Sequence, residues 1–344
     1  MGKVKSIFYA LLAAAFFAVN VPVSKLLLDH VGSTSMAALL YLGAGIGIGI
    51  LSVFNKKDRE KSEKLSKKDL PFVVGMIVLD VAAPIFLMLG ISYGSSANAS
   101  LLGNFEIVAT TLIALLIFRE TVSKRLWTAI ALITLSSALL TFDGADSFRF
   151  SYGSLFVLLA TVCWGFENNC TRNISSKSTY EIVVLKGVFS GLGSLAIALI
   201  KRETMPEIRY VAIAALLGFV AYGLSIFLYV RAQSALGAAK TSAYYAVAPF
   251  VGTFFAFVFL REKITWAYIA ALIVMIVGSA LVVVDTMIKH HAHEHRHSFT
   301  HTHGGSTHTH TVTHTHEHDQ YVTDLRHGHR HTKAELEKLH GALH

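Results

Sequence analysis

The chain has 344 residues, of which 53% are hydrophobic and 15% charged, and a formal net charge of +8. Its mean hydropathy of +0.53, with the apolar residues in long runs rather than amphipathic stripes, excludes a soluble globular domain. The basic residues lie mostly in loops and in the C-terminal tail, so the positive balance reports membrane topology rather than nucleic-acid binding.

A bilayer core takes roughly 20 helical residues. The apolar runs predict spans at about 6–28, 35–54, 70–91, 96–118, 125–142, 152–172, 180–200, 208–230, 238–260 and 266–287. The opening Met1-Gly2-Lys3-Val4-Lys5-Ser6 resembles both a signal-peptide start and a myristoylation motif. No small-x-small site followed by a polar mature domain comes after it, so the first run is expected to stay as a span. After the second span come Lys56, Lys57, Arg59, Lys61, Lys64, Lys67 and Lys68, a cluster expected in the cytoplasm. Lys3, Lys5, Arg119, Lys124 and Arg125 fall on the same side, and the opposite loops of this half offer only Arg149. Both termini are therefore expected in the cytoplasm and the protein in the cell membrane. The second half obeys the rule less well, since Lys201, Arg202, Arg209, Arg261 and Lys263 would lie outside. Cys163 and Cys170 share one predicted span and read as small buried residues, not as a disulfide or metal pair.

One block occurs twice. Ile117-Phe118-Arg119-Glu120-Thr121-Val122-Ser123 leads into an apolar run ending Thr141-Phe142-Asp143; 142 positions later, Phe259-Leu260-Arg261-Glu262-Lys263-Ile264-Thr265 leads into a run ending Val283-Val284-Asp285. A fixed-offset repeat in so apolar a chain indicates two homologous membrane halves. Five spans per half is an odd number, so the halves enter the membrane from opposite sides. The expected fold is an all-α membrane protein of ten transmembrane helices in two inverted five-helix repeats, 1–143 and 144–287, followed by a disordered His-rich tail, 288–344.

Trp164-Gly165, the small-residue run Ala97-Asn98-Ala99-Ser100-Leu101-Leu102, Ala248-Pro249-Phe250 and the twin Arg-Glu blocks together resemble the EamA-type transporters of the drug/metabolite transporter superfamily. The resemblance covers about residues 6–287. It implies a central substrate cavity between inverted halves and export of small metabolites or drugs, with no enzymatic activity. Two departures stand out: Glu106-Ile107 replaces a frequent Glu-Pro, which implies a less kinked fourth helix, and Phe17-Ala18 replaces the usual Trp-Gly.

Charges inside a bilayer need partners or a wet cavity. Asp80, Glu106, Glu167 and Lys186 lie within predicted spans and are candidates to bind a polar substrate or a coupling ion; the alternative is structural ion pairing between helices. Lys25, Arg172 and Arg231 lie at span ends, where snorkelling is expected. Asn20 and Pro22 in the first span, and Tyr244, Tyr245 and Pro249 in the ninth, are further cavity candidates. Proline frees a carbonyl in the preceding turn, and tyrosine offers an amphipathic wall. Tyr244 and Tyr245 point in different directions on a helix, so at most one faces the cavity. The sequence contains no Walker A motif, so transport is expected to run on a gradient. No HExxH occurs before the tail, where His30 is the only histidine.

From His290 onward the composition changes, and the tail alternates histidine with threonine. His291, His293, His295, His297, His301, His303, His308, His310, His314, His316 and His318 form a candidate divalent-metal site for Zn, Ni, Co or Cu. No cofactor is required by any motif. Three roles are open for the tail: sensing metal and gating a carrier, buffering metal, or delivering it as cargo. The partners expected are thus a small-molecule substrate, the lipid bilayer and a divalent metal. The functional expectation is a gradient-driven exporter of a small polar or amphipathic metabolite. The alternatives are a divalent-metal transporter served by the tail and a membrane-anchored metal buffer or sensor.

Overall fold

A computed structural model describes residues 3–54, 63–118, 122–143, 149–174, 177–236, 244–303 and 306–321, with backbone alone at the ends of some elements and from residue 286 onward. Residues up to 285 make one compact unit and the segment from 286 a second.

The first unit is helical. Its elements are α1 (Lys3–Ala18), α2 (Asn20–Leu27), α3 (Ser33–Phe54), α4 (Leu70–Tyr93), α5 (Ser96–Leu102), α6 (Phe105–Phe118) and α7 (Lys124–Thr141). After the short strands β1 (Phe142–Asp143) and β2 (Arg149–Phe150) come α8 (Tyr152–Asn173), α9 (Thr179–Ile200), α10 (Ile208–Gly218), a π-helical stretch (Phe219–Leu224), α11 (Ser225–Leu236), α12 (Ala248–Leu260) and α13 (Trp266–Met287). Among the described residues, seven helical stretches are long and apolar enough to cross a membrane. α8 matches them in length but carries Glu167, Asn168, Asn169, Thr171 and Asn173.

Several boundaries follow from local chemistry. Ser95 caps α5, its hydroxyl accepting from the Asn98 amide at 3.0 Å. Pro71 stands in the first turn of α4, where no N–H is required. Arg261 ends α12 in the left-handed region, at φ 51°. The first span is broken between α1 and α2 at Val19, and Pro22 removes the N–H that would have bonded the Ala18 carbonyl. α12 passes that carbonyl at Gly252, where an added Cβ would lie 3.2 Å from it.

The fourth span was expected to be less kinked, since it lacks a proline after Glu106. It is broken nonetheless, between α5 and α6 at Gly103–Asn104. A local side-chain bond accompanies the break: Asn104 turns its amide onto the Leu101 carbonyl at 3.3 Å.

α4 lies along α8, α3 along α9, and α1 along α11, while α12 packs on α1 and α5. α3 and α9 meet backbone to backbone. A Cβ on Gly187 would sit 2.5 Å from the Cα of Gly45, and one on Gly45 would sit 2.7 Å from the Val188 nitrogen. Only glycine fits at either position, and 142 positions separate the two, the offset of the sequence repeat. Facing outward are Ile46, Ile50, Val74, Val78, Phe189, Leu192, Ile273 and Val277, an exposed apolar surface suited to lipid.

The second unit differs from the disordered tail expected. β3 (Ile288–His303) and β4 (Ser306–Tyr321) pair as an antiparallel ladder, with Ile288 opposite Tyr321 and His303 opposite Ser306. Polarity argued against a core, and the two-stranded ladder has none: each strand pairs the backbone groups along one edge and leaves the other edge unpaired. Histidine recurs at every second position along much of both strands, which supplies the period of two, and β4 adds the β-branched threonines that favour it. Residues 322–344 lie outside the described residues.

Candidate functional site

Lys186 lies in the first half of α9, next to Gly187, whose close contact with α3 sets the approach of the two helices there. Its ammonium Nζ stands 3.1 Å from Asp80 Oδ2 on α4 and 2.9 Å from Glu167 Oε1 on α8. Both acids are buried, Asp80 completely and Glu167 to 2% exposure. Tyr41 of α3 donates its hydroxyl to Asp80 Oδ1 at 2.9 Å, and Trp164 Nε1 donates to that same hydroxyl at 3.4 Å. The other Asp80 oxygen has the charge contact with Lys186 but no well-angled hydrogen bond. Pro84 stands four residues beyond Asp80 inside α4, so the backbone carbonyl of Asp80 has no helical N–H to accept.

α8 supplies the opposing wall. Trp164, Glu167, Asn168 and Thr171 recur at helical spacing and share a face. Thr171 donates to Glu167. Asn168 donates its side-chain amide to Glu106 Oε1 at 2.7 Å and to Thr110 Oγ1 at 3.3 Å, both on α6.

A second, mostly aromatic layer joins α1, α2, α3 and the π-helical stretch. Asn20 donates to the Tyr222 hydroxyl at 3.0 Å and accepts from Ser24 at 3.2 Å. The Tyr222 ring lies 5.2 Å from Tyr41 and 5.9 Å from Phe17, and Phe17 lies 6.0 Å from Tyr245. Tyr245 and Ser225 share a hydrogen bond of 3.2 Å, and Ser225 also donates to the Ala13 carbonyl at 2.9 Å.

The structure thus brings Asp80, Glu106, Glu167, Lys186, Asn20 and Tyr245 toward one centre. Tyr244 packs elsewhere, with Ala10 and Ala232. Pro22 shapes the α1–α2 break, and Pro249 stands in the first turn of α12. The side chains of the candidate tail histidines from His291 to His318 lie outside what the structure describes. Among the described residues no group of three or more His, Cys, Asp or Glu is arranged to hold a metal.

Sequence reasoning missed Tyr41, Tyr222, Asn168 and Thr171, and took Trp164 only as part of a resemblance. A signal existed for two of them: Tyr41 and Tyr222 each interrupt a run of glycine, alanine and aliphatic residues with a hydroxyl that must find a partner.

Away from the centre, charged side chains close helix ends. Lys25 was expected to snorkel; instead its ammonium sits 2.6 Å from the Ile91 carbonyl and 2.8 Å from that of Gly94, capping the end of α4. Glu203 accepts from the backbone N–H of Thr34 at 3.1 Å and of Ser35 at 2.8 Å. Glu262 does the same for Ser96 at 2.7 Å and Ala97 at 2.9 Å. Partial burial pushes the Glu203 carboxyl up, but the hydrogen bonds from Ser35 and Thr34 outweigh it and hold the group below the ordinary carboxylate range. The matching Arg119-Glu120 pair lies outside the described residues.

The chain is similar in sequence to an uncharacterized transporter of Methanothermobacter thermautotrophicus, 25% identical over 285 residues that cover 77% of this chain and 82% of the relative. A solved crystal structure aligns with a TM-score of 0.57 at 16% identity, over 82% of this chain and 96% of that one, a likeness that shows a shared fold. The pattern of the EamA-like transporter family matches twice, over residues 4–142 and again over 151–284. With buried charges gathered among membrane-spanning helices and both matches falling on the helical unit, the chain belongs to the EamA-like transporter family and is a multi-pass membrane protein.

Proposed function

We propose that this transporter is a gradient-driven carrier that exports a small polar or amphipathic metabolite by alternating access. Its two family matches are, in this reading, inverted five-helix repeats, each contributing to a site between them. One observation carries the proposal: Lys186 is held by Asp80 and Glu167 from two other helices, deep inside the bundle. Buried ion pairs are a poor way to gain stability, because desolvation offsets most of the attraction. A cluster that must be opened and re-formed by cargo or a coupling ion accounts for that cost. The abutting Gly45 and Gly187 support the repeat reading, since equivalent positions of two halves would meet where a pseudo-two-fold axis passes. The full chain in proteoliposomes, challenged with a panel of amino acids, amines and drugs under imposed ion gradients, should show counterflow of at least one compound. Lys186→Met and Asp80→Asn should abolish that flux while inserting normally; unchanged flux in both would remove the cluster from the transport path.

A second reading concerns the tail, and the backbone register favours it. His291 stands opposite His318, His293 opposite His316, His295 opposite His314, and His301 opposite His308. Alternation along each strand puts these positions on one face of the ladder. We propose that this face takes divalent Zn, Ni or Co, so that the tail buffers metal or adjusts the carrier. Deleting 288–344 and following cellular tolerance to each metal tests it; unaltered tolerance to all three would sink the metal role.

A further inference from the structure

A serine or threonine hydroxyl inside a helix can satisfy itself on a carbonyl of the preceding turn. Thr111 does so on Ile107, and Thr141 on Ser137, each at 2.7 Å. Ser100, in the last turn of α5, does not. The residue is 5% exposed, and its hydroxyl has no hydrogen-bond partner among the described residues. It turns instead toward α12, where a Cβ on Gly252 would lie 3.1 Å from Ser100 Oγ and 3.2 Å from the Ala18 carbonyl. Two oxygens on different helices thus face one point beside the bare Cα of Gly252. The Ala18 carbonyl is the one whose helical N–H is removed by Pro22. Hydroxyls nearby are answered: Tyr268 donates to Thr253 at 3.3 Å, and Ser279 to Asn104 at 3.4 Å.

A buried hydroxyl left unpaired is costly and calls for an explanation. This one sits where two broken spans meet, the first at Val19 and the fourth at Gly103–Asn104. Discontinuous helices are where carriers present backbone oxygens to what they carry. In this structure α12 covers the pair. Beyond its far end, Glu262 clasps it to the start of α5, whereas Gly252 lies in its second turn. A helix held at one end, with no side chain at the point of contact, can lift from Ser100 without unlocking an interdigitated surface. The hydroxyl both donates and accepts, while the carbonyl only accepts. Together they suit a group that bears an O–H or N–H, and neither oxygen calls for a charge.

We propose that Ser100 and the Ala18 carbonyl form a hydrogen-bonding subsite for cargo with a hydroxyl or N–H group, covered by α12 at Gly252 in this structure. The inference rests on the carrier reading and names the chemistry of its substrate. The test uses the full chain in proteoliposomes, with Cys163→Ala and Cys170→Ala as background and methanethiosulfonate ethylammonium as the thiol probe. Ser100→Cys should be modified. Ala99→Cys, buried one position away on another face of α5, should not. A hydroxyl or amine compound that shows counterflow should slow the modification of Ser100→Cys. An inert Ser100→Cys, equal modification of Ala99→Cys, or no protection by the transported compound overturns the proposal. Should Ser100→Cys fail to insert, Ser100→Ala decides: its half-saturating concentration should rise about three- to tenfold at an unchanged maximal rate, and no rise overturns the subsite. The two levels separate cleanly: flux with Ser100→Cys inert overturns the subsite alone, whereas no flux of any compound overturns the carrier reading itself.

Discussion

At one end of the bundle, Glu203 and Glu262 each lay both carboxylate oxygens on backbone N–H groups at a helix start. At its centre, Asp80 and Glu167 share the ammonium of Lys186, while Glu106 leans on a neutral amide. The same functional group is thus used in two ways. A pair of N–H donors in a helical turn has one geometry and one occupant, so a carboxylate there locks two segments together. An ammonium on a flexible four-carbon stem can trade partners within a few ångströms. The ends hold the helices in register, and the centre is where the proposed transport cycle would make and break contacts.

The largest effect should come from breaking the centre. Lys186→Met leaves Asp80 and Glu167 buried without a countercharge and should cost about 3–5 kcal/mol, read by chemical or thermal unfolding in detergent. Combining it with Asp80→Asn should recover much of that loss but no transport. A single variant as stable as the wild type would mean that the cluster is hydrated rather than paired. Next comes the contact that positions Lys186: Gly187→Val drives a side chain into the backbone of α3 at Gly45. It should cost about 1–3 kcal/mol, with flux lost in proportion to displacement of α9, measurable as the yield of monodisperse protein and its counterflow rate.

The end caps should show the opposite profile. Glu262→Gln removes the charge from the start of α5 and should cost about 1 kcal/mol, with transport retained; abolished transport at near-normal stability would make this end part of the gate. The smallest effect is the pH response of Glu203. Its folded carboxyl is held below the unfolded value, so its contribution is complete above about pH 4.3 and fades as pH falls through the lower folded pKa. Melting temperature followed from pH 6 to pH 3 should therefore fall further for wild type than for Glu203→Gln. Parallel curves would show that Ser35 and Thr34 do not hold the anion in solution.

Much of the arrangement was legible before any coordinates. The long apolar runs identified membrane spans, and the four intramembrane charges were singled out because a bilayer tolerates them only for a reason. That Asp80, Glu167 and Lys186 form one cluster was not readable, because helix rotation decides which faces converge, and an all-apolar helix gives no stripe from which to read that rotation. Tyr41 and Tyr222 were lost for the same cause. The break before Phe105 does not follow from the presence or absence of a proline, because Asn104 offers the backbone a competing side-chain bond. In the tail, composition argued for disorder, while the alternation of histidine with a β-branched residue carried the strand pattern.

The caps from Glu203 and Glu262 also bear on how the chain is made. Each closes a helix start synthesised more than 160 residues earlier, with sequence separations of 168 and 166 for the bonds to Ser35 and Ser96. While the ribosome is still making the second half, those N–H groups and the Asp80 oxygen that meets Lys186 stand without the partners that will answer them. The first half is therefore an unfinished object on its own, which should draw on insertion factors or lipid headgroups until its complement arrives. A chain ending at residue 143 is expected to be cleared rapidly by proteolysis, and co-expressing 144–344 as a separate chain should rescue it.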